Sequence, residues 1–222
     1  MDVVLPCLNE RQALIDVIGA VPAGYRIILV DNGSTDGSGE LAATQGATVL
    51  WEPARGYGAA VHAGLAAATA DIVVVMDCDG SIDSAELPAL VAVVAGGSAD
   101  LCVGRRRPVE PGAWPWHARY GNRMLATALS ATTRGLSVRD LAPVRVARRS
   151  ELLALGVTDR RSGFPVETLM RAAAAGWRIT ERDLSYRRRA AGTTSKVTGS
   201  VRGTATAVRD IARIALDRRI WA

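Results

Sequence analysis

The sequence predicts an α/β fold: a doubly wound, mostly parallel sheet with helices on both faces. Short apolar runs of strand length alternate with helical periodicities over the first hundred residues, as expected for strands joined by crossover helices. Polar residues follow the ends of several of these apolar runs. Because parallel sheets bind ligands beyond the carboxyl ends of their strands, we expect the functional residues at that edge.

Each element follows from a local pattern. Strands are predicted where apolar or alternating runs have strand length, at 2–8, 26–30, 47–51, 71–79, 99–104 and 177–186, with a short extended piece at 143–147. Helices are predicted where apolar residues recur at helical spacing or alanine dominates, at 10–20, 38–45, 56–70, 85–95, 117–133, 150–155, 164–175 and 200–219. Three prolines predict a loop over 105–116, and 187–198 is predicted to be a basic loop.

Charge and cysteine content narrow the function classes. Residues 1–100 carry 13 acidic and 3 basic side chains, whereas residues 101–222 carry 9 acidic and 24 basic ones, an asymmetry that suits a site where a cation meets phosphate groups. The basic half shows no nucleic-acid-binding motif and aromatic residues are only 5%, so nucleic acid is not an expected partner.

No apolar run is long enough for a membrane span. Three unevenly spaced cysteines predict buried free thiols in a reducing compartment, and hence a cytoplasmic protein.

Two carboxylates follow the strongest predicted strand. Asp77 and Asp79 come directly after the run VVVM and are separated by Cys78. This position places both carboxylates at the expected ligand edge of the sheet. One carboxylate can ligate a hard divalent cation such as Mg²⁺ or Mn²⁺, while the other reaches a sugar hydroxyl or a water on that ion. An ion held in this way would also bind a pyrophosphate.

The segment DNGSTDGS at 31–38 has two interpretations. A turn followed by a helix cap accounts for Gly33 to Asp36, since Asn-Gly and Ser, Thr or Asp are typical of turns and caps. It does not account for Asp31, which follows IILV and can accept a hydrogen bond from a base N–H or a ribose hydroxyl. The glycines of GYGAAVHAG lack the spacing of a dinucleotide-binding loop, so we expect them to let a helix pack close to the sheet.

Taken in order, VVLPCLNE, VDNGSTDGS, RGYGAAVHAG and VVVMDCDGS resemble the motifs of family 2 glycosyltransferases of the GT-A fold, a Rossmann-like architecture. The continuation ADLCVGRRR, HARYGNRMLA, FPVETLMRAAAAGWRI and YRRRAAGTTSK is similar to the branch of dolichyl- and polyprenyl-phosphate mannose or glucose synthases. The resemblance implies a nucleoside-diphosphate sugar as donor, a divalent metal and, in this branch, a phosphate-bearing lipid as acceptor. We expect one domain over 1–222, with a nucleotide-sugar half at 1–105, an acceptor half at 106–198 and a C-terminal amphipathic helix at 199–222.

The resemblance also implies roles for residues at matching positions. The implied nucleotide-binding set is Pro6, Asn9, Glu10, Asp31, Asp36, Arg55 and Gly58. Asp79 would bind the metal, Asp77 would lie beside it near the ribose or sugar, and Arg105 would lie close to the phosphates or the acceptor. Ser195 and Lys196 match a Ser-Lys pair on a mobile loop over the diphosphate. Lys196 is the one lysine among 27 basic residues, which favours a need for a compact ammonium.

Several positions leave alternatives open. Ser81 stands where many members of the branch have a metal-ligating glutamine, and residues 140–145 keep only the Asp and the Arg of a longer motif. Glu167, in the first turn of a predicted helix, is either a general base or simply suited to the helix dipole, and a phosphate acceptor needs no strong base. Trp114 and Trp116 either form an acceptor or membrane lip or pack their loop down.

The favoured function is metal-dependent, inverting transfer of a hexose from a donor of the GDP-mannose or UDP-glucose type to a polyprenyl phosphate. The alternatives are transfer to a soluble small molecule or glycan, a sugar nucleotidyltransferase, and a catalytically silent binding protein. A nucleotidyltransferase usually carries a Gly-rich basic loop after its first strand, where this chain has Cys7-Leu8-Asn9-Glu10. Intact Asp77, Asp79 and Lys196 argue against a silent protein.

The predicted helix at 200–219 has arginines beside an apolar face, and Trp221 lies near its end. Such a helix either packs on the protein's own core or lies on an anionic membrane. We expect weak, salt-sensitive binding to anionic liposomes that is lost on deletion of 217–222. A peripheral position on the inner face of the plasma membrane would follow.

Overall fold

The computed structural model describes residues 1–190, 209–210 and 213–214. The strands of the described part are β1 Asp2–Cys7, β2 Arg26–Asp31, β3 Thr48–Trp51, β4 Ile72–Val75, β5 Leu101–Pro108, β6 Val144–Arg148 and β7 Ile179–Tyr186. Its helices are α1 Arg11–Gly19, α2 Ser38–Thr44, α3 Tyr57–Ala67, α4 Leu87–Ala95, α5 Trp116–Thr132, α6 Arg149–Ala154 and α7 Phe164–Ala174. The strands form one sheet in the order β3-β2-β1-β4-β6-β5-β7.

The sheet is parallel except at β6, which runs antiparallel to both of its neighbours, β4 and β5. Arg145 of β6 lies opposite Val75 on one side and Val103 on the other. The short extended piece predicted at 143–147 is therefore a central strand, and it comes from the second half of the chain. The predicted class, a mostly parallel α/β sheet, is confirmed.

The predicted loop at 105–116 begins later than expected, because β5 continues to Pro108. β5 pairs in parallel with β7 over its whole length, which gives these residues backbone hydrogen-bond partners. Asp183 of β7 accepts hydrogen bonds from the Nε atoms of Arg105 and Arg107. The strand therefore continues through the three arginines as far as Pro108, the first of the three prolines from which the loop was predicted.

Apolar side chains cover both faces of the sheet. One layer contains Leu14 of α1 and Leu90 of α4, and the other contains Val61 of α3 and Leu169 of α7. The three cysteines are free and buried, as predicted. Among the helices of the described residues, none combines the length and the apolarity that crossing a membrane requires.

α3 lies directly on the sheet, as its small residues predict. A Cβ atom added at Gly64 would lie 2.3 Å from Val4 Cγ1 and 3.1 Å from Val30 Cγ2. Any side chain at this position would therefore push α3 away from β1 and β2.

The predicted helix at 200–219 is described only at Arg209, Asp210, Arg213 and Ile214, all of which are helical. Asp210 and Ile214 are buried, and Arg213 Nη2 donates to Asp159 Oδ2 at 2.6 Å. These residues pack on the protein itself. Residues 217–222, on which the membrane prediction rests, lie outside the described part of the chain.

Candidate active site

The loop after β4 carries two carboxylates at the carboxyl edge of the sheet. Asp77 is half-buried and Asp79 is buried. Asp79 Oδ1 accepts hydrogen bonds from the backbone N–H of Ser81 at 2.9 Å and from its hydroxyl at 2.5 Å. Ser81, which replaces the glutamine of the resembling branch, therefore fixes the orientation of Asp79.

Asp77 sits among competing charges. Burial and the neighbouring charge of Asp79 raise the pKa of Asp77 to about 6. Three arginines oppose this rise, Arg189, Arg106 and Arg145. The Tyr57 hydroxyl is hydrogen-bonded to Asp77, and burial together with the charge of Asp77 raises the pKa of Tyr57. The carboxylate thus lies where guanidinium groups from three separate segments converge.

A guanidinium occupies one oxygen of Asp79. Arg189 Nε lies 2.8 Å from Asp79 Oδ2, and the Ala190 N–H donates to the Asp79 carbonyl at 3.1 Å. The Arg187 N–H donates to the Ser81 carbonyl at 2.9 Å. The segment that follows β7 therefore runs beside the loop that carries Asp79, and its arginine neutralises the carboxylate.

Asp77 and Asp79 are the residues that could hold a divalent metal. Carboxylate oxygens are ligands that Mg²⁺ and Mn²⁺ prefer. Within the described residues, no cluster of three or more His, Cys, Asp or Glu side chains could bind one ion. A metal held by this pair would therefore take its remaining ligands from water and phosphate oxygens, which suits a cation that bridges the protein to a diphosphate.

Asp31 and Asn9 shape the loop after β2. Asp31 Oδ1 accepts the N–H of Gly33 at 3.0 Å and of Ser34 at 2.6 Å. Asn9, in the left-handed region with a φ of 56°, accepts the N–H of Thr35 through Oδ1 at 2.8 Å. The segment is thus a turn, and Asp31 is part of it. Contacts of Asp31 and Asn9 with a nucleotide stay predictions.

Asp36 joins the first turns of α1 and α2. Its Oδ1 accepts the N–H of Ser38 at 3.0 Å and its hydroxyl at 2.5 Å, and its Oδ2 accepts the Arg11 N–H at 3.1 Å. Burial would raise the pKa of Asp36, but these hydrogen bonds outweigh it and lower the pKa. Glu10 is buried beside them, and its N–H donates to Ser38 Oγ at 3.1 Å. Asp36 thus holds the first residues of α1 and α2 from outside their N-cap positions, Glu10 and Gly37. The nucleotide roles of Asp36 and Glu10 stay predictions.

Asn32 is an organising residue that the sequence patterns did not single out. Its Nδ2 donates to the carbonyls of Glu52 and Ala54 at 2.8 Å, and its Oδ1 accepts the Gly56 N–H at 2.8 Å. Arg55 Nη1 in turn donates to the Asn32 carbonyl at 3.0 Å. One buried side chain thus joins the loop after β2 to the loop that carries Arg55. In sequence, its Asn-Gly pair looks like an ordinary turn.

Pro6 and Gly58 lie at close backbone contacts. The Pro6 carbonyl accepts a hydrogen bond from Cys78 Sγ at 3.2 Å, which links β1 to the loop after β4. A Cβ atom at Gly58 would lie 2.3 Å from the Asp159 carbonyl oxygen, and the Gly58 N–H donates to the Arg161 carbonyl at 3.1 Å. This contact by itself requires glycine, so the predicted nucleotide contact of Gly58 stays a prediction.

Glu167, the candidate general base, is a fully bonded buried carboxylate. Its Oε1 accepts the N–H and hydroxyl of Thr158 at 3.0 and 3.1 Å and Arg171 Nε at 2.6 Å, and its Oε2 accepts the Asp159 N–H at 2.7 Å. Burial would raise the pKa of Glu167, but these hydrogen bonds outweigh it and lower the pKa. A general base at neutral pH needs a raised pKa and a free lone pair. The contacts therefore favour a structural role over the predicted catalytic one.

Arg105 is paired with a carboxylate of β7, and its predicted place close to the phosphates or the acceptor stays a prediction. Side chains alternate along β5, and Arg105 is turned toward Asp183, with which it pairs. Arg106 points to the other side, where it donates to Asp140 Oδ1 at 2.6 Å and Oδ2 at 3.0 Å and influences Asp77. Arg105 and Arg106 thus lie on opposite sides of β5, and three successive arginines in the sequence do not reveal which of them lies near Asp77.

Arg145 is a second arginine that the predicted site set lacked. It is buried in β6, and its Nη2 donates to the Leu141 carbonyl at 2.6 Å. Its Nε and Nη1 atoms are buried and have no hydrogen-bond partner within the described structure. Burial lowers the pKa of Arg145, while the neighbouring Tyr57 and Asp77 oppose that change. A buried guanidinium with unused donors is suited to an anion, and the signal for it was an arginine inside the apolar run VRVA.

The structure therefore sorts the predicted site residues into four groups. Asp77 and Asp79 lie together at the sheet edge, and the nucleotide-binding set lies mainly in the loops after β1 and β2 and at the start of α3. Arg105 and Glu167 are engaged elsewhere. Ser195 and Lys196 lie outside the described residues, so their part in diphosphate binding stays a prediction.

Known proteins share this arrangement of strands and loops. Residues 2–155 match the family model described as Glycosyl transferase family 2. The chain belongs to this family. The matched range contains the loop with Asp77 and Asp79 and the strand with Arg145.

This family 2 glycosyltransferase is 55% identical over 212 residues to an uncharacterized glycosyltransferase of Mycobacterium tuberculosis, with 96% of each chain covered. It is 31% identical over 221 residues to the dolichyl-phosphate hexose transferase of Haloferax volcanii, covering 98% of this chain and 95% of that one. The crystal structure of glucosyl-3-phosphoglycerate synthase from M. tuberculosis with Mg²⁺ and uridine diphosphate has a TM-score of 0.76 at 23% identity, covering 98% and 78% of the two chains. The predicted family, the GT-A fold and the transferase class are confirmed.

Proposed function

We propose that this family 2 glycosyltransferase is a metal-dependent inverting enzyme that moves a hexose from a nucleoside-diphosphate sugar to a polyprenyl phosphate. The donor is of the GDP-mannose or UDP-glucose type. The buried Arg145 guanidinium carries the proposal, because its Nε and Nη1 atoms have no hydrogen-bond partner within the described structure and it lies near Asp77. An acceptor phosphate would satisfy these donors, whereas a neutral sugar hydroxyl would leave the charge uncompensated.

The names of similar proteins support a phosphate on the acceptor. The H. volcanii relative is named for dolichyl phosphate, and its chain is covered almost completely. The M. tuberculosis structural neighbour is named for phosphoglycerate, which is a soluble phosphate. Both names share the phosphate, and the sequence similarity to the first favours a lipid. With a lipid acceptor, the protein would work in the cytoplasm at the inner face of the plasma membrane.

Each group of the chain then has a task. A divalent cation held by Asp77 and Asp79 would neutralise charge on the leaving diphosphate. Arg106 and Arg145 would hold the acceptor phosphate, one oxygen of which bonds to the anomeric carbon from the side opposite the donor. The bond from that carbon to the diphosphate oxygen breaks, the nucleoside diphosphate leaves and the configuration inverts. Because a phosphate is already anionic at neutral pH, no general base is required, which agrees with the bonded state of Glu167.

A second candidate is transfer to a small soluble phosphate. The TM-score of 0.76 with a structure named for glucosyl-3-phosphoglycerate synthesis favours it. The two candidates share donor, metal and arginines and differ only in what is attached to the acceptor phosphate.

Transfer assays on the full chain test both candidates. UDP-glucose and GDP-mannose are each supplied with Mn²⁺ and either undecaprenyl phosphate in detergent or 3-phosphoglycerate, and the glycosylated product and released nucleoside diphosphate are measured. We expect product with undecaprenyl phosphate. Product with 3-phosphoglycerate alone would establish the second candidate, and no product with any pair would contradict both.

Two variants locate the chemistry. Asp79→Asn should abolish transfer, because an amide cannot supply the anionic ligand that a hard cation prefers. Asp71→Asn is the matched control and should stay active. It removes an exposed carboxylate just before the start of β4, at the end of the strand opposite Asp77 and Asp79. Arg145→Met should raise the KM for the acceptor about tenfold or more while the donor Kd stays unchanged. An unchanged acceptor KM would remove Arg145 from the phosphate site.

A further inference from the structure

The first half of α5 presents an apolar surface to solvent. Trp116, Tyr120 and Met124 are 79%, 63% and 55% exposed, respectively. Only Ala126 and Leu129 of this 17-residue helix are buried. Large apolar side chains that are exposed together, rather than singly, mark an interaction surface.

The three exposed residues form one stripe along the helix, which we call the α5 stripe. They are spaced four residues apart, so at 100° per residue they lie within an arc of about 80°. Arg119 and Arg123 are exposed and border the stripe on the side toward the buried face. The arrangement is an apolar band with a cationic margin.

The surroundings of the α5 stripe are basic as well. α5 contains no Asp or Glu. Arg107 is exposed in the strand that precedes it, and Arg134 is exposed just after it. The nearest acid in the preceding loop, Glu110, accepts a hydrogen bond from the Arg188 N–H. An apolar band with a positive margin is complementary to a bilayer surface that carries anionic lipid.

α5 also connects this surface to the arginines of the site. Asn122 Oδ1, on the same helix, accepts Arg106 Nη2 at 3.1 Å and the Leu141 N–H at 3.3 Å. Trp114, in the loop just before α5, lies under the Arg106 guanidinium at 3.9 Å from its ring centroid. The helix that would meet the membrane therefore also supports an arginine that would meet the acceptor phosphate.

We propose that the α5 stripe docks on an anionic lipid bilayer, with Trp116 and Tyr120 at the headgroup level and Arg119 and Arg123 on lipid phosphates. The purpose of the docking, which is to bring a lipid phosphate to Arg106 and Arg145, rests on the proposed function. The binding to the bilayer itself does not. It does not involve the C-terminal residues 217–222. A second copy of the chain fits less well, since a two-fold contact through the stripe would bring the same arginines together.

Co-sedimentation of the full chain with vesicles tests the docking without donor or acceptor. The vesicles are equal parts phosphatidylglycerol and phosphatidylcholine, or phosphatidylcholine alone. The variant Trp116→Ala/Tyr120→Ala/Met124→Ala should bind the anionic vesicles about tenfold more weakly than the unmodified chain. The matched control, Ile15→Ala/Trp51→Ala, removes residues that are 55% and 72% exposed elsewhere and should bind normally. Arg119→Gln/Arg123→Gln should weaken binding several-fold and reduce its dependence on salt.

Three outcomes would overturn the proposal, and two controls accompany them. Equal sedimentation of the unmodified chain and the α5 variant would exclude the stripe, and loss on deletion of 217–222 alone would assign binding to the C-terminus. A dimer that the α5 variant converts to monomer in gel filtration would identify a second copy as the occupant. An unchanged thermal midpoint of the α5 variant shows that it is folded. Transfer to detergent-solubilised undecaprenyl phosphate, measured separately, distinguishes failure of docking from failure of the proposed function.

Discussion

Arg189 would compete with a divalent cation for one oxygen of Asp79. The guanidinium lies 2.8 Å from Oδ2, so a metal that used this oxygen would have to displace it. Arg189→Gln should therefore strengthen Mn²⁺ binding in the absence of nucleotide by about fivefold, the effect of removing an ion pair worth about 1 kcal/mol. Titration calorimetry with Mn²⁺ measures this directly.

The control for this prediction is Arg187→Gln. Arg187 pairs with Asp83 at 3.1 Å in the same segment, and its removal leaves Asp79 bonded to Arg189. We expect its Mn²⁺ affinity to match that of the unmodified chain. Weaker Mn²⁺ binding by Arg189→Gln would mean that the arginine organises the metal site rather than competing with the ion.

Glu167 provides a second prediction for a single residue. Glu167→Gln should lower the free energy of unfolding by about 2 kcal/mol, because a buried hydrogen-bonded charge is removed from Arg171. The pH profile of kcat should keep its shape. Urea denaturation and a pH series of transfer rates measure the two effects. A fall in kcat of about a hundredfold with unchanged stability would restore Glu167 as the general base.

Residue types could be predicted from the sequence more reliably than residue contacts. The candidates Asp77 and Asp79 could be placed at the sheet edge from the sequence, because they follow the apolar run VVVM. The choice between Arg105 and Arg106 depends on the register of β5 against β7, which no local pattern fixes. Asn32 bonds to the carbonyl of Glu52 and Arg145 lies near Tyr57 and Asp77, all distant in sequence, so the importance of both residues appears only in three dimensions.

The contact between α3 and β1 leads to a prediction about elements. Gly64→Ala should destabilise the protein by about 1–3 kcal/mol, because the new Cβ atom would overlap Val4 Cγ1. Gly121→Ala is the matched control, since Gly121 is also helical and has no atom within 4 Å of an added Cβ. That change should stabilise the protein by about 0.5–1 kcal/mol through helix propensity. Equal midpoints for the two variants in urea would contradict the close packing.

Most helices and strands were predictable, because the spacing of their apolar residues reflects which faces of the helix or strand are buried. The exceptions have physical reasons. β5 runs past its apolar part into three arginines, and Asp183 of β7 compensates part of their charge. The central place of β6 was not predictable, since a five-residue run does not tell which neighbours it pairs with.

The stability of the whole molecule against acid depends in part on Asp2. It accepts Arg26 Nη2 at 2.6 Å and the N–H groups of Thr69 and Ala70 at 2.6 and 3.0 Å, which joins β1 to β2 and to the start of β4. Burial would raise the pKa of Asp2, but these bonds lower it from 3.8 to about 2. Its contribution, on the order of 2 kcal/mol, is therefore complete above about pH 4 and is lost as the pH falls toward 2.

Asp2→Asn should remove this pH dependence. The free energy of unfolding of the variant should be lower at pH 7 by roughly that amount and should change less between pH 4 and pH 2. Urea denaturation at a series of pH values measures both quantities, with Asp71→Asn as a surface control. Parallel pH profiles for the Asp2 variant and the unmodified chain would show that the carboxylate is not a source of acid sensitivity.

The position of β6 also constrains how the protein can be made. A ribosome delivers β4 and β5 first, and the strand that lies between them emerges only later. Until then, the nascent chain carries two apolar strands with unsatisfied inner edges, which is the condition that favours aggregation. β4 and β5 therefore cannot complete their pairing until β6 has been synthesised. We therefore expect the nascent chain to be prone to aggregation until residue 148 has left the exit tunnel.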